Sequence, residues 1–393
     1  TTLFRSFVHA NIVRSEELIR NGYVHISNGK IEEIGDMKFY EKRNDYDEIH
    51  LTEDELLLPG FIDIHIHGIN GADMMDATEQ SLYDIATKLP HEGTTSFLAT
   101  TITHKQENIE LALTNAAKYT ACQNFKQGSE MLGIHLEGPF LSKKRAGAQP
   151  LQHIIPSTIS LFNQWQQLSG NLIKVVTLAP EQENGLELTK YLSEHKVIPS
   201  IGHSDAIYDE VKKAIELGAK HVTHFYNGMR GIHHREPGVV GAGLAHDNLF
   251  LELIVDGIHV HPAVIKSTYK TKGSEKIILI TDSMRAKWLE DGEYELGGQK
   301  VIVRNNTALL EDGTLAGSVL KMNDAVKNMM QYTGCTINEA IQMAAENPAK
   351  QLSVWDRKGS ITTGKDADIV IVKDDLTVQM TMCNGIIEYK GVK

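Results

Sequence analysis

The sequence predicts an α/β protein: a parallel (β/α)8 barrel carrying a small β-sandwich domain built from both chain termini. Three observations predict it. Apolar runs alternate with helix-patterned segments from Leu57 onward, and eight such runs can be counted. Eight favours a closed parallel barrel over an open doubly wound sheet. Both ends of the chain instead read as short strands and tight turns, which divides it into residues 1–57, 58–350 and 351–393.

In the first segment, Tyr23–Ser27 and Lys30–Ile34 meet through Asn28-Gly29, a strong hairpin signal. After Leu58-Pro59-Gly60 the first barrel strand is expected at Phe61–His67, where Ile62, Ile64 and Ile66 alternate with Asp63, His65 and His67. The remaining strands are expected at Thr94–Thr101, Met131–Glu137, Ile173–Leu178, Val197–His203, His221–His224, Leu249–Val255 and Ile277–Thr281. Helical patterning falls at Gln80–Leu89, Asn108–Thr120, Leu186–His195 and Tyr208–Leu217, and Asn323–Thr333 and Ile337–Glu346 finish the barrel. Beyond Asn347-Pro348, Asp368–Val372 reads as a strand. Val378–Cys383 and Ile386–Tyr389 form a second hairpin through Asn384-Gly385.

Composition bounds the function. A net charge of −12 offers no footprint for nucleic acid, so an anionic substrate would need a local cationic pocket. Cys122, Cys335 and Cys383 lack CxxC spacing and read as free thiols of a reducing compartment. No apolar run reaches the ~18 residues of a membrane helix, and the expectation is a cytoplasmic protein without membrane or nucleic-acid partners. Neither GxGxxG nor a Walker A motif argues for a nucleotide.

In a parallel barrel the strands' C-terminal ends form the active face. His65 and His67 end the first expected strand, Glu137 the third, His203 the fifth and His224 the sixth; His259 follows the seventh and Asp282 ends the eighth. A lone histidine in such a place is more often a buried, satisfied core residue. Seven polar residues on one rim instead suit a first-row divalent metal, one or two ions per subunit, zinc or iron before manganese or cobalt. Glu137 has two oxygens to share between ions, with His65 and His67 holding one and His203 and His224 the other. Asp282 is free to move a proton to a leaving nitrogen, which is the chemistry of amide or related C–N hydrolysis.

The stretches PGFIDIHIHG, HLEGPF, GHSDA, THFYNGM, REPG, DGIHVHP, ITDSM and GTLAGS resemble the amidohydrolase superfamily and, within it, the N-acetylglucosamine-6-phosphate deacetylase family. The resemblance spans essentially the whole chain. It implies a TIM barrel and deacetylation of N-acetyl-D-glucosamine 6-phosphate to glucosamine 6-phosphate and acetate, in amino-sugar catabolism. It also implies a homodimer in which Arg235 grips the substrate phosphate and can reach across the interface. It assigns Glu137, His203 and His224 to metal and Asp282 to acid–base work. Ala148, Gln149, Asn227, Gly228, Asp256, His259, Leu315, Ala316 and Gly317 are expected to surround the substrate. Retention of both His65 and His67 favours two metal positions.

Other residues read as structural. Asp63 is expected to serve hydrogen bonding, Lys143-Lys144-Arg145 a solvated surface, His233 and His234 the loop beside Arg235, and His261 the fold. The rival readings are another amidohydrolase, such as a cyclic amidase or base deaminase, and a catalytically silent scaffold.

Overall fold

The structure, a computed structural model, describes residues 4–14, 16–122 and 127–391. Eight parallel strands lie side by side in chain order: Phe61–Ile66, Thr94–Thr100, Glu130–Glu137, Ile173–Leu178, Ile198–Ile201, His221–Val222, Phe250–Ile254 and Ile277–Ile280. The first and last meet where Asp282 N donates to His65 O at 2.8 Å and His67 N to Ser283 O at 2.9 Å, which closes the barrel. Their near-continuous apolar character follows from burial on both faces; every residue of Phe61–Ile66 is buried.

A helix follows each of the first seven strands. Those at Glu79–Lys88, Gln106–Cys122, Gly185–Glu194 and Tyr208–Glu216 match expectation within two residues, as does Met322–Thr333 after the eighth. Three were not read from the sequence. Ile159–Leu168 buries only Phe162 and Trp165, Gly238–Ala245 has no polar face, and Pro262–Lys272 starts inside the DGIHVHP stretch. His261 caps the last of these, its Nδ1 accepting from Ala263 N at 3.1 Å. A three-stranded antiparallel insert, Gly292–Leu296, Gln299–Arg304 and Thr307–Leu310, also went unread.

The terminal strands share one eight-stranded sheet in which Ile369–Lys373 pairs antiparallel with Glu55–Pro59. The sheet curls around its own core, where Phe7, Ile12, Val24 and Ile26 pack with Leu57, Ile369, Ile371 and Met382. Its two hairpin turns meet at Gly29 and Gly385. This is the expected small domain built from both termini. A fully buried ion pair, Lys287 Nζ to Glu92 Oε1 at 2.7 Å, ties the loop after the eighth strand to the turn before the second. Among the described residues no helix is long and apolar enough to cross a membrane, and all three cysteines are unpaired.

Candidate metal centre

Six ligand-capable side chains converge at the C-terminal rim. His65, His67 and Asp282 form one group and Glu137, His203 and His224 a second; within each, the donor atoms lie within 4.8 Å of one another and every residue is buried. His65 stands on the first strand, and His67 lies just beyond its end. His203 and His224 lie two residues past the ends of their strands, where the sequence had placed them at the ends. The ladder stops early because the backbone turns inward there: His203, His224 and Asp282 adopt φ of 45°, 29° and 48°. Left-handed backbone at non-glycine residues costs on the order of 1–3 kcal/mol and persists where surrounding structure imposes it. Here it swings three functional side chains into one pocket.

Glu137 faces both groups. Its Oε1 lies 2.9 Å from His224 Nε2 and 3.2 Å from His203 Nε2, and its Oε2 lies 3.4 Å from His67 Nε2. Asp282 Oδ1 lies 3.2 Å from His67 Nε2 and 3.4 Å from His65 Nε2. The ring hydrogen bonds test whether these residues suit a metal. His203 Nδ1 donates to Arg145 O at 2.9 Å and His67 Nδ1 to Thr100 O at 3.2 Å, because a carbonyl oxygen can only accept. His65 Nδ1 donates to Glu252 Oε2 at 3.2 Å. Each uncharged ring is therefore left with its Nε2 lone pair aimed into the pocket, and the buried His65 Nε2 has no hydrogen-bond partner. Oriented imidazoles with free lone pairs around shared carboxylates fit a divalent ion.

The electrostatics agree. Burial alone would raise the Glu137 carboxyl, yet His65 and the hydrogen bonds from His203, His224 and His67 hold it well below the usual carboxylate range. Burial would likewise lower His67, but the Asp282 and Glu137 carboxylates carry it well above the usual imidazole range. Against the same burial, Glu137 first and then the Asp282 and Glu252 charges bring His224 up to about 9. Asp282, despite burial, is held below its ordinary value by His65, His67 and His224. A site so rich in carboxylate charge holds protons where it would otherwise hold a cation.

The pocket above these groups is lined by His67, Glu137, Ala148, Gln149, His203, His224, Asn227, Gly228, His259, Asp282, Leu315 and Gly317, all expected. Gln149 Nε2 donates to Glu137 Oε2 at 2.8 Å, so it steadies the carboxylate as well as lining the pocket. A side chain at Gly228 would press on His203 Nδ1 at 2.8 Å, and its φ of 59° suits glycine. Ile102, Gly147, Leu296 of the antiparallel insert and Thr314 complete the lining and were not foreseen.

Four expected residues lie off this surface. His65 sits beneath it, and Ala316 is wholly buried. Asp256 stands behind His259, its Oδ2 accepting from His259 Nδ1 at 2.6 Å. Arg235 is exposed beside His234, 2.7 Å from its Nε2, and does not line this pocket. Lys143 and Lys144 line a separate cleft of about 570 Å³, and Arg145 pairs with Asp205 at 2.9 Å. Asp63 accepts from Thr281 Oγ1 at 2.6 Å, a structural bond, and burial raises its carboxyl to about 6.

Sequence reasoning missed Glu252. This wholly buried carboxylate on the seventh strand is held below its usual range by His221 and His65 in spite of burial. The available signal was a lone acid inside the apolar run FLELI.

A family model described as the amidohydrolase family matches residues 56–387. An N-acetylglucosamine-6-phosphate deacetylase of Bacillus subtilis (strain 168) is 53% identical over 379 residues, which are 96% of this chain and 95% of that protein. A crystal structure of N-acetylglucosamine-6-phosphate deacetylase from Thermotoga maritima is similar with a TM-score of 0.88 and 36% identity, covering 98% of this chain and 100% of that one. A mutant N-acetyl-D-glucosamine-6-phosphate deacetylase from Mycobacterium smegmatis, in complex with N-acetyl-D-glucosamine 6-phosphate, is similar with a TM-score of 0.91 and 28% identity over 98% of this chain and 100% of that one.

Proposed function

The chain belongs to the amidohydrolase family, and from that premise we infer that it hydrolyses N-acetyl-D-glucosamine 6-phosphate to glucosamine 6-phosphate and acetate. One observation carries the reading: six buried ligand-capable side chains converge beneath a polar pocket, in a chain 53% identical across nearly its full length to a protein of that activity.

The ligands would be His65, His67 and Asp282 at one position and Glu137, His203 and His224 at the other, zinc or iron being the ions their donor atoms suit best. A divalent ion so held supplies positive charge that acidifies a water and polarises an amide carbonyl. Asp282, a carboxylate at working pH, takes the proton of the attacking water through its carboxylate and returns it to the amide nitrogen as the C–N bond breaks. Asp256 fixes the His259 ring through Nδ1, which leaves Nε2 for the acetamide. Asn227, Gly228 and Ala148 form the walls against the sugar, and Leu315 and Gly317 close over it and limit water.

Arg235 serves the phosphate of a second copy's substrate. Its exposed guanidinium, which does not line the pocket of its own chain, supports a homodimer in which each subunit completes the other's site. A cytoplasmic, amino-sugar-degrading role accompanies this reading.

The test is hydrolysis by the purified protein, followed as acetate release from N-acetylglucosamine 6-phosphate, N-acetylgalactosamine 6-phosphate and unphosphorylated N-acetylglucosamine, as ring opening of a hydantoin, and as ammonia release from an aminopurine. It is run as isolated, after chelation, and after re-addition of single metals. Turnover of the phosphorylated N-acetyl sugar, lost on chelation and restored by one metal, is expected. Turnover of the hydantoin or purine alone would replace this reading with another amidohydrolase.

A further inference from the structure

Glu252 and the groups below it form a polar chain that the proposed reaction does not use. From His65 Nδ1 the chain passes to Glu252 Oε2 at 3.2 Å. Glu252 Oε1 then faces His221 Nδ1 at 3.6 Å, and His221 Nε2 meets Gln351 Oε1 at 3.1 Å. Glu252, His65 and His221 are all wholly buried. The chain therefore runs inside the barrel from the metal-side rim, past the foot of the sixth strand, to the end of helix Asn347–Gln351.

A charged carboxylate is costly in such a place unless its partners need it. Leu or Ile would fill that position in an apolar parallel strand at no such cost. The Glu252 backbone is committed as well, its carbonyl accepting from Phe225 N at 2.7 Å, one residue from His224. Glu252 thus touches His65 through its side chain and the segment carrying His224 through its main chain. His67 and His203 have their Nδ1 fixed by backbone carbonyls, which any sequence supplies. His65 alone among these three has its Nδ1 fixed by a side chain, so its orientation can be changed by one substitution.

We propose that Glu252 is a positioning residue for the metal centre: by accepting the Nδ1 proton of His65 it fixes that ring's tautomer and aim, and so sets the affinity of the His65–His67–Asp282 position, leaving the Glu137–His203–His224 position largely untouched. The proposal rests on the two-position reading above. The bland alternative is that Glu252 merely satisfies His221.

Three proteins decide it: wild type, Glu252→Leu, which removes the acceptor at similar volume, and Glu252→Gln, whose amide oxygen can still accept from His65. Zn²⁺ stoichiometry after dialysis and dissociation constants by chelator competition are measured on each. Nitrogen-resolved NMR of the His65 ring is recorded on zinc-free wild type. The expected result is one tightly held ion in Glu252→Leu with the other weakened about 10–100-fold, both retained within a few-fold in Glu252→Gln, and a proton on His65 Nδ1. Two ions held by Glu252→Leu as tightly as by wild type, or a His65 Nδ1 without a proton, would overturn the proposal. Should Glu252→Leu fail to fold, the wild-type tautomer and the zinc affinities of Glu252→Gln decide alone. Should wild type bind a single ion, the two-position reading falls while the tautomer still decides the part played by Glu252.

Discussion

Replacing Asp282 with asparagine removes the carboxylate proposed to carry the proton. It also neutralises one of the three groups proposed for the His65–His67–Asp282 position, so metal content has to be read beside activity. The exchange keeps the side-chain volume, and asparagine tolerates the left-handed backbone at this position, where φ is 48°. Alanine would add roughly 1–2 kcal/mol of backbone strain and blur the result. Two main-chain bonds at this residue are untouched by either change: Asp282 N to His65 O, which helps close the barrel, and Ser318 N to Asp282 O, both 2.8 Å. What disappears is the charge and basicity of a carboxylate whose Oδ1 lies 3.2 Å from His67 Nε2 and 3.4 Å from His65 Nε2, the group assigned to take and return the proton. General acid–base groups contribute about 10²–10⁴-fold, or about 2.7–5.5 kcal/mol of barrel-independent activation free energy. Service in both proton transfers puts the expected fall in kcat toward the upper end, at about 10³-fold or more. KM should move only a few-fold, because other residues are proposed to hold the sugar and its phosphate. The assay is steady-state acetate release, with metal content and the urea midpoint measured on the same preparation. An asparagine variant that is folded and metal-replete yet turns over within tenfold of wild type would remove Asp282 from the mechanism.

Arg235→Ala should lower kcat/KM for the 6-phosphate sugar by about 10–150-fold, the worth of a charge-assisted hydrogen bond of roughly 1.5–3 kcal/mol, and leave the unphosphorylated sugar unchanged. Activity regained on mixing Arg235→Ala with Asp282→Asn subunits would mark an arginine acting across a dimer, whereas parallel losses on both sugars would deny it the phosphate. Lys287→Met strands the buried Glu92 charge and should cost about 3–5 kcal/mol in urea unfolding; adding Glu92→Leu should recover most of that, and a double variant no more stable than the single would contradict the pairing. Metal affinity should rise with pH. Below about 9 the metal-free pocket holds a proton on His224, and His67 also titrates well above its usual range, so each binding event must expel protons. About tenfold per pH unit for every proton displaced is expected between pH 7 and 8.5 by chelator competition, and a flat profile would mean that these rings are already neutral.

The barrel was legible because parallel strands buried on both faces leave long apolar runs, and because a polar residue closing such a run stands out. That is how His65, Glu137, His203, His224 and Asp282 came into view together. Helix Gly238–Ala245 left no trace, since a segment buried all round has no amphipathic period to detect. The antiparallel insert was hidden by its strands of four to six residues, which bury few side chains and fall between the eighth barrel strand and the helix after it. The left-handed turns at His203 and His224 are imposed by tertiary surroundings and have no local signature. Arg235 shows a different limit: its motif led the sequence to expect it at the substrate, yet the fold leaves it exposed and off the pocket.

The sheet joining the two termini has a consequence for how the protein is made. Strand Glu55–Pro59 lies between Phe4–Val13 and Ile369–Lys373, so one of its edges stays open until the far end of the chain leaves the ribosome. About three hundred residues separate the two, which at ~5–20 residues per second is on the order of 15–60 s of exposure. Leu57 and Leu58, wholly buried in the finished molecule, sit on that waiting strand, and an unpaired apolar edge is a template for aggregation. Transcripts cut short before Ile369 should therefore yield insoluble product even where they encode every barrel strand, and a holdase binding the nascent chain near Glu55–Pro59 would protect it during those seconds.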